Sequence, residues 1–415
     1  MNIKNPFELI ETGSNLALGM IDTFLEILEN SQKPEANPTQ KQQQINQLLH
    51  ELEAKGKEIG KNPEQLLNSL LSSINPCNST RYPLFVNTGG MQQYPQPSIL
   101  KNYQLYGFVV EGSLPHLQTM CDKYLNEPTQ GKTDYRPVTN LVLITFGNSP
   151  YVNSIPLENR GYFSEKEAMV WVLTMAGKQV GPFFFIDRLA WFIPYIFVDE
   201  SYIMAIGREV FGFPKGWGWF DFPDRPMEPE KLTIPEKLSV ETLVLKNFSP
   251  ETKATREKII EVSQVDKNQQ NLLSNSRNSL DEVFKDIAQT LFEDEGVIKI
   301  PSLGLDLQVL DYFTGDVEVP MVHLKQFRDI KYGERACYQA IVESPSKLLN
   351  FRSGGLLSTG SKPSDLFQVK VNEFDSHPIV SELGLKTGGE QIAKTAFWLD
   401  FDFKVESGQE IWRAF

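Results

Sequence analysis

Gly207-Arg208-Glu209-Val210-Phe211-Gly212-Phe213-Pro214-Lys215-Gly216-Trp217-Gly218-Trp219-Phe220-Asp221-Phe222-Pro223 is the densest aromatic run of the chain, and Lys215 is its one amine. A lysine in water is protonated and is no nucleophile. Desolvation disfavours the ammonium, and the neutral amine attacks carbonyl carbon. Phe211, Phe213, Trp217, Trp219, Phe220 and Phe222 are the residues able to supply that desolvation. If the segment from Gly216 is one strand, Trp217 and Trp219 share a face, with Phe220 and Phe222 on the other. The same letters also allow a plainer outcome, because Phe-Pro-Lys-Gly is an ordinary turn sequence with a solvated lysine.

The spacing of Gly207-Arg208-Glu209 before Lys215 resembles the active-site segment of the acetoacetate decarboxylase family. In that segment Gly-Arg-Glu and five further residues precede a lysine that forms a Schiff base with a keto acid. Upstream, Ile193-Pro194-Tyr195-Ile196-Phe197-Val198-Asp199-Glu200 is similar to the family's strand leading into the motif, so the resemblance is densest from Pro182 to Pro223. It extends more weakly over about 82–415. Tyr338–Glu343, a Gly354-Gly355 loop, Leu366–Val371 and Trp398–Phe403 are similar to the late strands. The family's usual Pro-Lys-Lys stands here as Pro214-Lys215-Gly216, so a neighbouring cation cannot activate Lys215 and burial has to do more.

The chain has 415 residues and a formal net charge of -13, enough for one large domain with additions or for two domains. The acidic balance, without any clustered Lys and Arg, excludes broad nucleic-acid or anionic-membrane binding. Cys77, Cys121 and Cys337 are widely separated and odd in number. They supply no disulfide framework and no metal-binding pair, which fits a reducing, cytoplasmic compartment. The dispersed His50, His116, His323 and His377 give no metal-ligand spacing either, so no metal is expected. Glu8, Glu11 and Asp22 interrupt the apolar N-terminal stretch, leaving no signal-peptide core and no transmembrane length.

Two helical patterns, Pro6–Glu29 and Gln40–Ile74, are separated by a Pro34–Pro38 linker, and they predict a helical N-terminal extension over 1–80. From about Tyr82 short β-rich runs take over. Leu105–Val110, Thr139–Phe146, Met169–Met175, Pro182–Ile186, Tyr195–Val198, Leu238–Leu245, Val319–Lys325, Cys337–Glu343, Leu366–Asn372 and Ala396–Val405 read as strands. Many strands with few long crossovers predict a mainly β, α+β domain over 81–415, an antiparallel barrel or sandwich. Glu251–Val262 and Leu280–Phe292 look helical, and about 249–296 is expected to be a helical insertion serving as surface elaboration, subunit contact or lid.

The family resemblance implies a large antiparallel β-barrel with the reactive lysine inside. It also implies a lyase that needs no cofactor and decarboxylates a small keto acid through a Lys215 iminium. Gly161-Tyr162-Phe163-Ser164-Glu165 is similar to the family's stretch bearing an active-site carboxylate, which places acid/base work on Glu165. Glu167, two residues on, shares its strand face and is the competitor. By position Arg208 and Glu209 line or brace the pocket, and Phe213 and Trp217 are expected to contact substrate; an ion pair bracing the turn is the structural alternative for Arg208 and Glu209. No counterpart of the family's active-site arginine appears around Ile99–Glu111, and no carboxylate stands in Thr139–Phe146. Two other functions stay open. One is an aldolase-dehydratase using the same lysine; the other is a non-catalytic barrel that holds a small hydrophobic ligand, for which a filled interior and an outward-facing Lys215 would be diagnostic. A homo-oligomer is the expected assembly.

Overall fold

The computed structural model describes residues 85–86 and 94–414, except 181–182, 223–236, 266–272, 275–276, 278, 292–296, 301–304, 309–318 and 359–365. The helices expected at 6–29 and 40–74, and the linker between them, lie outside the described residues. The chain divides into two compact units, Met1–Val86 and Asn87–Phe415, and the described strands and helices belong to the second.

Its strands, in chain order, are β1 (Ser98–Glu111), β2 (Tyr135–Pro137), β3 (Leu141–Ser154), β4 (Phe163–Val180), β5 (Phe183–Val198), β6 (Lys215–Trp217), β7 (Trp219–Asp221), β8 (Lys237–Val244), β9 (Thr255–Gln264), β10 (Leu273–Ser274), β11 (Val297–Ile300) and β12 (Leu305–Gln308). They continue with β13 (Met321–Arg328), β14 (Ala336–Ser344), β15 (Ser346–Ser358), β16 (Phe367–Val371), β17 (Glu390–Ile392), β18 (Thr395–Val405) and β19 (Gln409–Arg413). The α-helices are α1 (Leu114–Cys121), α2 (Ser201–Ile206), α3 (Leu280–Leu291) and α4 (Ile379–Leu383).

Twelve strands form one large sheet ordered β10-β15-β18-β1-β3-β4-β5-β13-β14-β19, with β2 beside β4 and β6 beside β5. Among the described residues this path has two free ends, β10 and β19, and no closed barrel is found. The far edge of β5 is divided between two short parallel partners, β6 and the first residues of β13. These pairs also make the sheet mixed, not wholly antiparallel. A second sheet, ordered β17-β16-β9-β8-β7, covers one face of the first.

Period-two alternation decides what each face does. On β1, Tyr106, Phe108 and Val110 are fully buried against the five-stranded sheet, where Phe108 meets Phe367 edge-on at 5.2 Å. Tyr103, Leu105 and Val109 face the other way, into a separate apolar core. A bulge at Lys101-Asn102 shifts the register, so Leu100 joins that face despite its even number. Asn102 holds the bulge with φ 54° and a backbone N–H donated to Asp402 Oδ1 at 2.8 Å.

Three local expectations are corrected. Residues 251–262 do not form a helix: Thr255–Gln264 is the central strand of the smaller sheet, paired with β8 and β16. Burial of Ile260 and Val262, and the cross-strand ion pair Arg256–Glu241, outweigh the helix propensity of its Glu and Lys residues. Gly354-Gly355 is no loop but lies within β15, where a Cβ on Gly354 would come 2.8 Å from the Trp398 carbonyl oxygen of the neighbouring strand. The aromatic run after Lys215 is not one strand either. It breaks at Gly218, with Lys215–Trp217 in the large sheet and Trp219–Asp221 in the small one.

Candidate active site

Lys215 reaches its position through a tight return of the chain. From β5 the backbone enters α2, continues as a π-helical turn over Gly207–Phe211, and reverses at Gly212, whose φ of +92° suits glycine. The N–H groups of Gly212 and Phe213 both donate to the Gly207 carbonyl, at 2.8 and 2.9 Å. β6 then runs parallel to β5 with Lys215 opposite Ile196. The alkyl stem of Lys215 lies directly on Gly207: a Cβ there would come 2.5 Å from Lys215 Cδ and 3.0 Å from Cε. Gly207→Ala is therefore expected to push the lysine off its mark, slowing covalent trapping of Lys215 by a ketone and borohydride at least tenfold. Circular dichroism, which checks that the fold persists, should stay unchanged, because the φ of -56° at Gly207 suits alanine.

The Lys215 side chain is 9% exposed and its amine contacts two carboxylates. Its Nζ donates to Glu165 Oε1 in the closest contact of the site and stands 3.8 Å from Glu167 Oε2. Both glutamates are on β4, two residues apart, and strand alternation turns them to the same side together with Met169 and Trp171. Glu167 Oε1 accepts a 2.6 Å hydrogen bond from the Tyr103 hydroxyl. Burial pushes the Glu165 carboxyl up to about 8, against the pull of the Lys215 charge and helped by the charge of Glu167. Burial, then the Glu167 charge, likewise holds the Tyr103 hydroxyl well above its ordinary value, so it remains a donor.

These four side chains line a cavity of about 640 Å³ on the inner face of the large sheet. Its walls are mostly Leu, Ile, Val, Met, Phe and Trp side chains from β1, β3, β4, β5, β15 and β18. Leu280 and Phe284 of α3 close one side. The helix expected at 280–292 thus exists, and it forms part of the wall; its apolar face, including buried Val283 and Ile287, packs toward β15 and β18. Among the described lining residues the only cations are Lys215 and Lys347, the latter exposed at the rim.

Of the residues expected to touch substrate, Phe213 lines the cavity, its ring centroid 6.0 Å from Lys215 Nζ. Arg208, Glu209 and Trp217 do not line it. Arg208 and Glu209 are exposed, and Arg208 Nη1 donates to the Lys215 carbonyl at 3.0 Å, bracing the turn from outside. Trp217 is 42% exposed and tilted against Trp219. A side chain at Gly216 would point away from the amine to the opposite face, 3.6 Å from Phe197, so a second lysine there would not stand beside the first. Tyr103 was not foreseen. Its signal was the Tyr103-x-Leu105 alternation on β1, masked by the bulge just before it.

Behind Phe213 lies His323, 2% exposed, its ring meeting Phe213 edge-on at 4.4 Å. Neither ring nitrogen has a hydrogen-bond partner among the described residues, and burial pushes the imidazole down to about 3. The folded protein therefore binds this proton less well than the unfolded chain. Stability is fully present above the unfolded value near 6.5 and is lost as pH falls towards 3, by on the order of 4 kcal/mol. Urea unfolding of His323→Leu between pH 7 and pH 4 should show a flatter decline than the unsubstituted protein, and a higher midpoint at pH 4.

No protein-family model matches the chain, and no curated protein matches it. In fold the chain is similar to acetoacetate decarboxylases. The solved acetoacetate decarboxylase of Legionella pneumophila shares 13% identity, with 82% of this chain and 96% of that one aligned at a TM-score of 0.47. An acetoacetate decarboxylase-like enzyme from Sphingomonas wittichii gives 9% identity, 80% and 98% coverage and a TM-score of 0.46. The enduracididine biosynthesis enzyme MppR, solved with pyruvate, gives 11%, 78% and 93%, and 0.45. No helix among the described residues is long and apolar enough to cross a membrane.

Proposed function

We propose that this protein is a Schiff-base lyase that decarboxylates a keto acid through an iminium on Lys215. The observation that carries this is a buried amine, in contact with one carboxylate and near a second, facing an apolar cavity with room for a substrate. A lysine turned outward from a filled interior, as a purely binding role would favour, is the opposite arrangement.

The steps follow from the contacts. Glu165 takes a proton from the Lys215 ammonium along their hydrogen bond, the freed lone pair attacks the ketone carbon, and one N–H proton passes to the oxygen to give a carbinolamine. Glu165 returns the proton to the carbinolamine oxygen, which leaves as water, and the C=N⁺ bond forms. The bond between the α-carbon and the carboxylate then breaks. Its electron pair moves into a new C=C bond as the C=N⁺ electrons settle on nitrogen, and carbon dioxide departs. The enamine carbon takes up a proton and water hydrolyses the iminium, releasing the ketone and the amine. The iminium itself is the electron sink, so the sequence calls for no cofactor.

The apolar walls favour the step in which charge is lost. A carboxylate taken from water into such a cavity is destabilised, whereas carbon dioxide is neutral. Incubation with a panel of β-keto acids, followed by borohydride, should leave a mass adduct on Lys215 together with carbon dioxide release. If an aldehyde is consumed in carbon–carbon bond formation and no carbon dioxide appears, the chemistry is that of an aldolase-dehydratase. Absence of any adduct on Lys215 would sink the lyase assignment.

A further inference from the structure

We infer that the substrate carries a long apolar substituent on its ketone carbon, about six to ten carbons beyond the reacting atoms, laid along the inner face of the large sheet. This rests on the lyase reading and concerns what the same cavity holds away from Lys215.

The reacting groups occupy a small part of the space. A four-carbon keto acid has seven heavy atoms; at roughly 25 Å³ each, close to the ~30 Å³ of a water in the liquid, it fills on the order of a quarter of the cavity. The total of about 640 Å³ lies in the range of sites that enclose much larger ligands. The space also has direction. Lining residues come from every strand of the large sheet between β5 and β15, that is β4, β3, β1 and β18 in turn. At about 4.8 Å per strand this is roughly 24 Å measured along the curved surface.

The polar groups form one cluster: Tyr103 from β1, Glu165 and Glu167 from β4 and Lys215 from β6 meet through their side chains. Around them the lining is mainly apolar, with Leu100, Leu399, Phe401, which packs on the Tyr103 ring, and, from α3, Phe284. The one polar side chain set inside, Thr145, already accepts the Trp171 indole N–H at 2.8 Å. The remaining polar lining residues, Ser98, Asp281, Ser346 and Lys347, are partly or fully exposed. Water in the middle of this passage would find few partners, while an alkyl or aryl chain would exchange water for apolar contact along its length. The amphipathic α3 closes over the chain, tied down by the Arg277–Asp286 ion pair at 2.9 Å.

The test is a series of 3-keto acids from four to twelve carbons given to the full chain, with carbon dioxide release and borohydride adducts read in parallel. Each added methylene that enters the passage should raise kcat/KM about two- to fourfold, and the ten-carbon acid should exceed the four-carbon acid by roughly a hundredfold or more. Phe284→Asn should flatten this chain-length slope, shrinking the preference at least tenfold. If acetoacetate traps Lys215 but longer acids react no faster, the long-substituent inference falls and the lyase reading stands. If a short keto acid reacts only after an aldehyde is added, the space holds a second reactant and the inference is overturned. If no keto acid traps Lys215, the lyase reading falls and takes the inference with it.

Discussion

Lys215→Ala should abolish both the borohydride adduct and carbon dioxide release, with kcat/KM lowered by at least about 10⁴-fold. The size of the effect follows from covalency. Without the amine there is no iminium, and the two glutamates have no electron sink to offer. Lys215→Arg should be as inactive, since a guanidinium stays protonated and cannot attack carbon. Mass spectrometry after reduction in the presence of substrate checks the first outcome directly. An adduct that survives Lys215→Ala would place the covalent chemistry elsewhere. Thermal unfolding should show Lys215→Ala folded, because removing the cation leaves Glu165 able to hold its proton: its carboxyl is already pushed up by burial.

The second large effect is expected at Glu165. Glu165→Gln keeps the shape but removes the proton carrier that touches the amine, and kcat should fall by about 10² to 10⁴-fold. The pH profile gives a reading that a merely structural role would not move. Burial raises the Glu165 carboxyl to about 8, so the carboxylate that takes the Lys215 proton is present above that pH and lost below it. Activity of the unsubstituted protein should fall as pH drops through about 8, and Glu165→Gln should lack that limb. Glu167→Gln should retain the limb, since its carboxylate stands 3.8 Å from Nζ and is engaged by Tyr103. If the limb stays in Glu165→Gln and vanishes in Glu167→Gln, the two carboxylates exchange roles.

Much of this site could be read from local spacing. Gly207, Arg208, Glu209 and Lys215 lie within nine residues, and the two-residue gap between Glu165 and Glu167 fixes a shared strand face whatever the sheet does. The ten strands expected from the sequence all overlap strands of the structure, with the two segments at 182–186 and 195–198 fused into β5. What could not be read depends on contacts made far along the chain. Whether Thr255–Gln264 is a strand or a helix is decided by β8 and β16 on either side, not by its own alternation of Lys, Glu and Ile. Trp217 looked like a pocket residue because it stands two positions from Lys215; it is the last residue of β6, 42% exposed and tilted against Trp219. Tyr103 escaped notice because a single inserted residue changes which positions of β1 face inward.

The division of labour between strands and α3 has a practical corollary. Tyr103, Glu165, Glu167 and Lys215 sit on β1, β4 and β6, paired within the sheet, whereas α3 contributes Leu280, Asp281 and Phe284 to the cavity wall. Under the proposed chemistry the catalyst and the gauge that measures its substrate would be separate parts. A library confined to the inward positions of α3, such as Leu280 and Phe284, offers a way to retune which ketones are accepted while the proton-handling strands remain as they are, and it makes this chain a convenient starting scaffold for directed evolution of iminium catalysts.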